Sequence, residues 1–183
     1  MPDNEVEKIV CEDIVEPTDG CNLMATGEGS GGYDAQNDKT TAAGRYQFVD
    51  KTAAYTLTGM GRASSTEEAL ELWSNCKNST EPECKQLQDE MCNWYFNDTL
   101  SQMSHYGVAP TKFNMYLAWN QGAMGASKII EAAKNNEQVT DETVKRNMRG
   151  QQFFSGDESN NYDGQLFLDE MESYLERQNY PGI

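Results

Sequence analysis

Apolar positions recur at helical spacing through most of this chain, and convincing strand alternation is almost absent. Residues 5–16 carry Val6, Ile9, Val10, Ile14 and Val15, a spacing close to helical that Pro17 and Gly20 close. Asn22-Leu23-Met24-Ala25-Thr26 reads as a brief helix that stops at Gly29, Gly31 and Gly32, with Glu28 at or near its C-terminal end. Residues 33–48 are polar and turn-rich, an irregular loop or weak hairpin. Val49 to Met60 is helical, with Ala53, Ala54 and Leu57 inward and Gly59 and Gly61 at the end. Ser65-Thr66-Glu67-Glu68 forms a capping box ahead of Ala69, Leu70, Leu72 and Trp73. A second box, Thr80-Glu81-Pro82-Glu83, opens a long helix with Leu87, Met91, Trp94, Tyr95 and Met103 on one side, ending before Gly107.

Further helices are expected over 111–122, capped by Thr111, over 125–136, and from a Thr140 cap to about Arg149. A polar loop spans 150–161, and Asp163 precedes a last amphipathic helix with Leu166, Phe167, Met171, Tyr174 and Leu175. The pattern gives seven to nine helices, a mainly α fold class and one domain over residues 1–183, without repeats or low-complexity segments.

Charge narrows the partners. Fourteen basic residues stand against 30 acidic ones, a net charge of −16 spread along the chain. Such a surface repels phosphate backbones and anionic membranes, so neither nucleic acid nor membrane insertion is expected. No apolar run is long enough to span a bilayer. Met1-Pro2-Asp3-Asn4-Glu5 is acidic where a secretory leader would be basic. Either the chain is not exported by that route, or the export segment has been removed.

The five cysteines, Cys11, Cys21, Cys76, Cys84 and Cys92, include no CxxC pair, and His105 cannot complete a zinc site by spacing. No metal and no cofactor is expected. Disulfides in an oxidising compartment are favoured over buried thiols. Were 76–92 one helix, Cys76 and Cys84 would lie roughly 12 Å apart along its axis, too far to bridge. A corner between two helices at 77–80 would bring them together. Cys76–Cys84 and Cys11–Cys21 are the pairings expected.

The candidate chemistry gathers in residues 26–48. Glu28 is followed by Gly29, Ser30, Gly31 and Gly32, which leave little bulk beside its carboxyl group. A second small-residue turn, Thr40-Thr41-Ala42-Ala43-Gly44, leads into Arg45-Tyr46-Gln47-Phe48. A single Glu in a water-poor cleft suits glycoside cleavage, with a raised pKa making it a general acid. Most glycosidases use a second carboxylate, for which Asp34 and Asp38 are the candidates. Tyr33, Tyr46, Gln47, Trp119, Asn120 and Gln121 suit a sugar polymer: rings stack on sugar faces, and amides bond N-acetyl and hydroxyl groups. Against this, Glu28 is one of 30 acidic residues, and a solvated residue at a helix end is the plain alternative.

Three motifs in order carry a family resemblance. Glu28-Gly29-Ser30-Gly31-Gly32-Tyr33 is similar to a catalytic Glu-Ser segment, with Gly29 intervening. Gly44-Arg45-Tyr46-Gln47, then Thr52-Ala53, is similar to a Gly-Leu-Met-Gln turn followed by Thr-Ala. Ala118-Trp119-Asn120-Gln121-Gly122 is similar to Ala-Tyr-Asn-x-Gly. Over residues 22–133 the chain resembles the lysozyme-like lytic transglycosylases, in the version associated with phages and secretion systems. Residues 1–21 and 134–183 would be flanking helices packed on that unit.

The resemblance implies a lysozyme-like fold with a substrate cleft, and peptidoglycan glycan strands as substrate. Glu28 would act as both acid and base on the MurNAc–GlcNAc β-1,4 bond, leaving a 1,6-anhydro end and using no water. Gln47 and Asn120 would contact substrate or hold Glu28, and Tyr46 would line the cleft. A lysozyme-type hydrolase using Asp34 or Asp38, and a catalytically silent wall-binding scaffold subunit, are the alternatives. The resemblance further implies a periplasmic, extracellular or virion-associated location. The partner would be a phage, secretion or conjugation assembly, or an immunity or inhibitor protein if the chain serves as an antibacterial toxin.

Overall fold

The structure is a computed structural model that describes residues 20–28, 32–151, 153–156 and 162–181. Eight helices make up its regular structure: α1 (Gly20–Glu28), α2 (Asp50–Gly59), α3 (Thr66–Cys76), α4 (Pro82–His105), α5 (Lys112–Gln121), α6 (Ala123–Asn135), α7 (Glu142–Arg149) and α8 (Gly164–Arg177). The expected mainly α class holds. The helix expected over 5–16, and Cys11 with it, lies outside the described residues.

Local signals explain most boundaries. Ser65 caps α3 by accepting from the Glu68 backbone N–H at 3.2 Å. The reciprocal arm of the box is shifted by one residue, because the Glu68 carboxylate accepts from the Ser64 N–H and hydroxyl. Thr111 caps α5 through the Asn114 N–H, and Asp163 caps α8 through the Leu166 N–H. Two expected caps move. The N-cap of α4 is Glu81, without a side-chain bond, so Thr80 does not cap it. The N-cap of α7 is Asp141, whose carboxylate accepts from the Thr143 and Val144 N–H groups in place of Thr140. An Asp one residue nearer the helix can serve two orphan N–H groups at once.

The long α4 is the axis of the molecule. Met91, Cys92, Phe96 and Met103 on α4 are buried beside Met24 of α1, Leu57 of α2 and Trp73 of α3, and Met115 and Leu117 of α5 join the same core. A second group, Ile129, Met148, Phe167, Met171 and Leu175, joins α6, α7 and α8 to it. Large apolar side chains removed from water in this way supply about 1.5–3 kcal/mol each.

Two disulfides pin helices to α4. Cys76 at the end of α3 bonds Cys84 in the first turn of α4, and Cys21 of α1 bonds Cys92. The corner at 77–80 therefore does bring Cys76 to Cys84. The expected Cys11–Cys21 pairing is replaced by Cys21–Cys92, a link across 71 residues that periodicity along the chain cannot reveal.

Residues 32–49 are irregular and held by isolated bridges, Gln36 to Ala43 and Ala43 to Phe48. No helix among the described residues is long and apolar enough to cross a membrane.

Candidate functional site

A cavity of about 470 Å³ opens beside the end of α1. Three parts of the chain frame it. Residues 36–42 and the turn leading to Phe48 give a polar wall with Gln36, Asn37, Asp38, Lys39, Thr40 and Gln47. Helices α4 and α5 supply Tyr95, Tyr116, Trp119 and Asn120. The C-terminal region closes the third side with Gln151, Phe153 and Tyr174. Glu28 lines the same cavity.

Glu28 is the last residue of α1, and that helix is fixed at both ends. The disulfide at Cys21 ties its start to α4. Near its end, Gly27 lies flat against Tyr116: a Cβ there would come within 2.3 Å of the ring, and the Tyr116 hydroxyl donates to the Gly27 carbonyl at 3.1 Å. Only a residue without a side chain permits that approach. The carboxyl of Glu28 is thereby held among protein atoms while still opening on the cavity, so it is partly accessible and largely desolvated. Burial pushes its pKa up to about 8, because a charge is disfavoured where water cannot surround it. Burial, and after it the nearness of Glu28, suppresses the ionisation of Tyr116 and Tyr180. At neutral pH the carboxyl is protonated and able to give a proton away.

The turn 44–47 carries Gln47 into the cavity. Gly44 has φ +76 and Gln47 has φ +50. A left-handed glutamine costs about 1 kcal/mol or more, and such strain persists only where neighbours enforce it. Here the Gln47 side-chain amide donates to the Gly44 carbonyl at 2.9 Å. Asn120 lies one helical turn beyond Tyr116 on α5, and its amide nitrogen donates to the Tyr116 carbonyl at 3.4 Å. Trp119 is buried edge-on against Tyr95, with ring centroids 4.9 Å apart, and contacts Phe48 at 5.5 Å. On the far side Phe153 stacks on Tyr174 at 5.2 Å. Aromatic rings therefore stand on two of the three walls, from α4 and α5 and from the C-terminal region, and polar side chains of residues 36–47 on the third.

Of the residues singled out from sequence, Glu28, Asp38, Gln47, Trp119 and Asn120 meet at this cavity. Tyr33, Tyr46, Gln121 and Asp34 are not part of its lining. Tyr46 is buried and turns away, its hydroxyl donating to Asp89 at 2.7 Å, where the Tyr33 hydroxyl also donates at 2.9 Å. Gln121 is buried in the core, and neither its amide nitrogen nor its oxygen has a hydrogen-bond partner. Asp34 is exposed. Gly29, Ser30 and Gly31, expected to form the cleft floor, lie outside the described residues.

Sequence reasoning missed Tyr116, Tyr95, Phe153 and Tyr174, and Gln36, Asn37 and Lys39 on the polar wall. Tyr116 was within reach, since it sits four residues before Asn120 on one helix face. Phe153 and Tyr174 reach the cavity only through the packing of the C-terminal third, which leaves no local trace. Among the described residues no group of three or more His, Cys, Asp or Glu could hold a metal ion. Comparison of the chain with protein-family models, curated proteins and solved structures found no match.

Proposed function

We propose that the protein is a peptidoglycan lytic transglycosylase with a lysozyme-like arrangement of helices, and that Glu28 is its catalytic acid and base. One observation carries the reading. A carboxyl with its pKa raised to about 8 opens on a cavity that also holds Gln47, Asn120 and a wall of aromatic rings. A cavity of about 470 Å³ is within the ordinary range for ligand sites.

In this reading Glu28 donates its proton to the oxygen of the MurNAc–GlcNAc β-1,4 bond as the bond to C1 breaks. The resulting carboxylate takes the proton of the MurNAc 6-hydroxyl, and that oxygen closes onto C1. The products are a free GlcNAc 4-hydroxyl and a 1,6-anhydro-MurNAc end. Glu28 finishes protonated and no water is consumed, so one carboxyl group suffices. The burial that raises the pKa keeps Glu28 protonated before the reaction and makes its carboxylate a stronger base for the second transfer. Trp119, Tyr95, Phe153 and Tyr174 offer rings to sugar faces, and Gln47 and Asn120 offer amides to N-acetyl groups and hydroxyls. Two disulfides fit an exported protein working in an oxidising compartment, with wall opening for a phage, secretion or conjugation apparatus as its task.

Asp38 favours a second reading. It lies at the exposed rim of the same cavity, where a carboxylate could activate water and give a muramidase. Digestion of purified sacculi decides between the two. Anhydro-muropeptides that disappear with Glu28→Gln and persist with Asp38→Asn support the transglycosylase. Reducing-end MurNAc products that disappear with Asp38→Asn select the hydrolase.

A further inference from the structure

Gln88 of α4 lies outside the cavity and is completely buried, yet it touches the segment that presents Gln47. Its Oε1 accepts from the Arg45 backbone N–H at 3.0 Å. Its Nε2 donates to the Tyr33 carbonyl at 3.0 Å and to the Cys76 carbonyl at 3.1 Å. One side chain thus ties the loop before the turn, the turn itself and the end of α3 to α4. The Cys76–Cys84 disulfide joins the end of α3 to α4 one helical turn away from Gln88. Gly44 packs so closely that a Cβ there would lie 2.4 Å from Gln88 Oε1.

The link to Gln47 runs through a single peptide unit. The Arg45 N–H and the Gly44 C=O belong to the same planar trans amide and point in opposite directions. Gln88 holds the N–H face. The C=O face accepts from Gln47 twice, from its backbone N–H at 3.3 Å and from its side-chain amide at 2.9 Å. Gly44 brings no side chain of its own to restrain the rotation of that peptide. We propose that Gln88 is a positioning residue: by clamping the Gly44–Arg45 peptide it sets the left-handed conformation of Gln47 and aims the Gln47 side chain into the cavity. The consequence for activity rests on the reading of the cavity as a glycan site, whereas the effect on Gln47 does not.

Hydrogen exchange and kinetics on the full chain test it together. In the unmodified protein, the Arg45 backbone amide and the Gln47 side-chain amide should both exchange slowly by NMR. In Gln88→Met both should become fast, at least about tenfold, while the amides of α6 stay protected. With sacculi, Gln88→Met and Gln47→Ala should each slow release of anhydro-muropeptides about tenfold, and the double variant should match Gln47→Ala within about twofold. A merely structural role predicts losses that multiply instead. Multiplying losses, or a Gln47 amide that stays protected in Gln88→Met, overturns the proposal. If Gln88→Met does not fold, exchange in the unmodified protein decides: slow exchange at both groups supports the clamp and fast exchange at either refutes it. If the unmodified protein releases nothing from sacculi, the enzymatic reading falls and the exchange comparison still decides the role of Gln88.

Discussion

At the scale of single residues, Glu28 has a consequence for stability as well as for chemistry. Its folded pKa of about 8 lies above the ordinary carboxyl value of 4.5. Between those limits the folded state binds the extra proton, so stability falls as pH rises. The contribution is fully present below pH 4.5 and is lost by about pH 8. Glu28→Gln removes that dependence. Thermal or urea unfolding at pH 5 and pH 8.5 should show the wild type losing about 4 kcal/mol more than Glu28→Gln across the interval. Equal losses would argue that the carboxyl is solvated. On the proposed function, the rate of glycan cleavage should fall above about pH 8, as the acid form of Glu28 is depleted. Residue by residue, the sequence was most legible where a side chain and its neighbours are close along the chain. Glu28, Gln47, Asn120 and Trp119, each named from residues close along the chain, line one cavity. Tyr33, Tyr46 and Gln121, named in the same way, do not line it, since nearness to a motif does not decide which way a side chain points. The partner that draws Tyr33 and Tyr46 away from the cavity is Asp89, more than 40 residues further on.

At the scale of elements, α1 is a nine-residue helix, too short to persist without its anchors. The Cys21–Cys92 disulfide closes a loop of 71 residues, worth about 4 kcal/mol in the chain-entropy account. The Cys76–Cys84 loop spans eight residues, and its disulfide is worth about 2.5 kcal/mol on the same account. Cys21→Ser with Cys92→Ser should therefore cost more stability in urea than Cys76→Ser with Cys84→Ser, and should release the helix that carries Glu28. The reverse order would mean that α1 is held by its other contacts. Gly27→Ala probes those contacts directly. Its methyl meets the Tyr116 ring, so a loss of about 1–3 kcal/mol is expected, with glycan cleavage falling further than stability alone explains. Helix identity was legible throughout the described chain, because the 3.6-residue period and the Ser65, Thr111 and Asp163 caps are local. The Cys76–Cys84 bond could be inferred from a corner between two helices. The Cys21–Cys92 bond could not, since it depends on how α1 docks on α4.

At the scale of the whole molecule, the mainly α class follows from periodicity, while the cavity is a product of assembly. One wall comes from the irregular segment before α2, one from α4 and α5, and one from the C-terminal third. That third wall carries Phe153 and Tyr174 from a region with no recognisable motif. Net charge sets a condition on how the cavity is reached. If the substrate is the proposed anionic wall polymer, the −16 charge of the protein opposes encounter at long range, and salt screens that opposition. The rate of sacculus digestion should rise between about 10 mM and 150 mM salt, over which the Debye length shrinks from about 30 Å to 8 Å. A rate that falls steadily with salt would point to a cationic docking surface instead.

The most direct test of the account is mass spectrometry of the products released from purified sacculi by the wild type and by Glu28→Gln, each shown to be folded. The account predicts 1,6-anhydro-muropeptides from the wild type and at least a thousandfold less from Glu28→Gln, roughly the combined loss of general-acid and general-base catalysis. Undiminished release by Glu28→Gln, or products ending in reducing MurNAc, would contradict it.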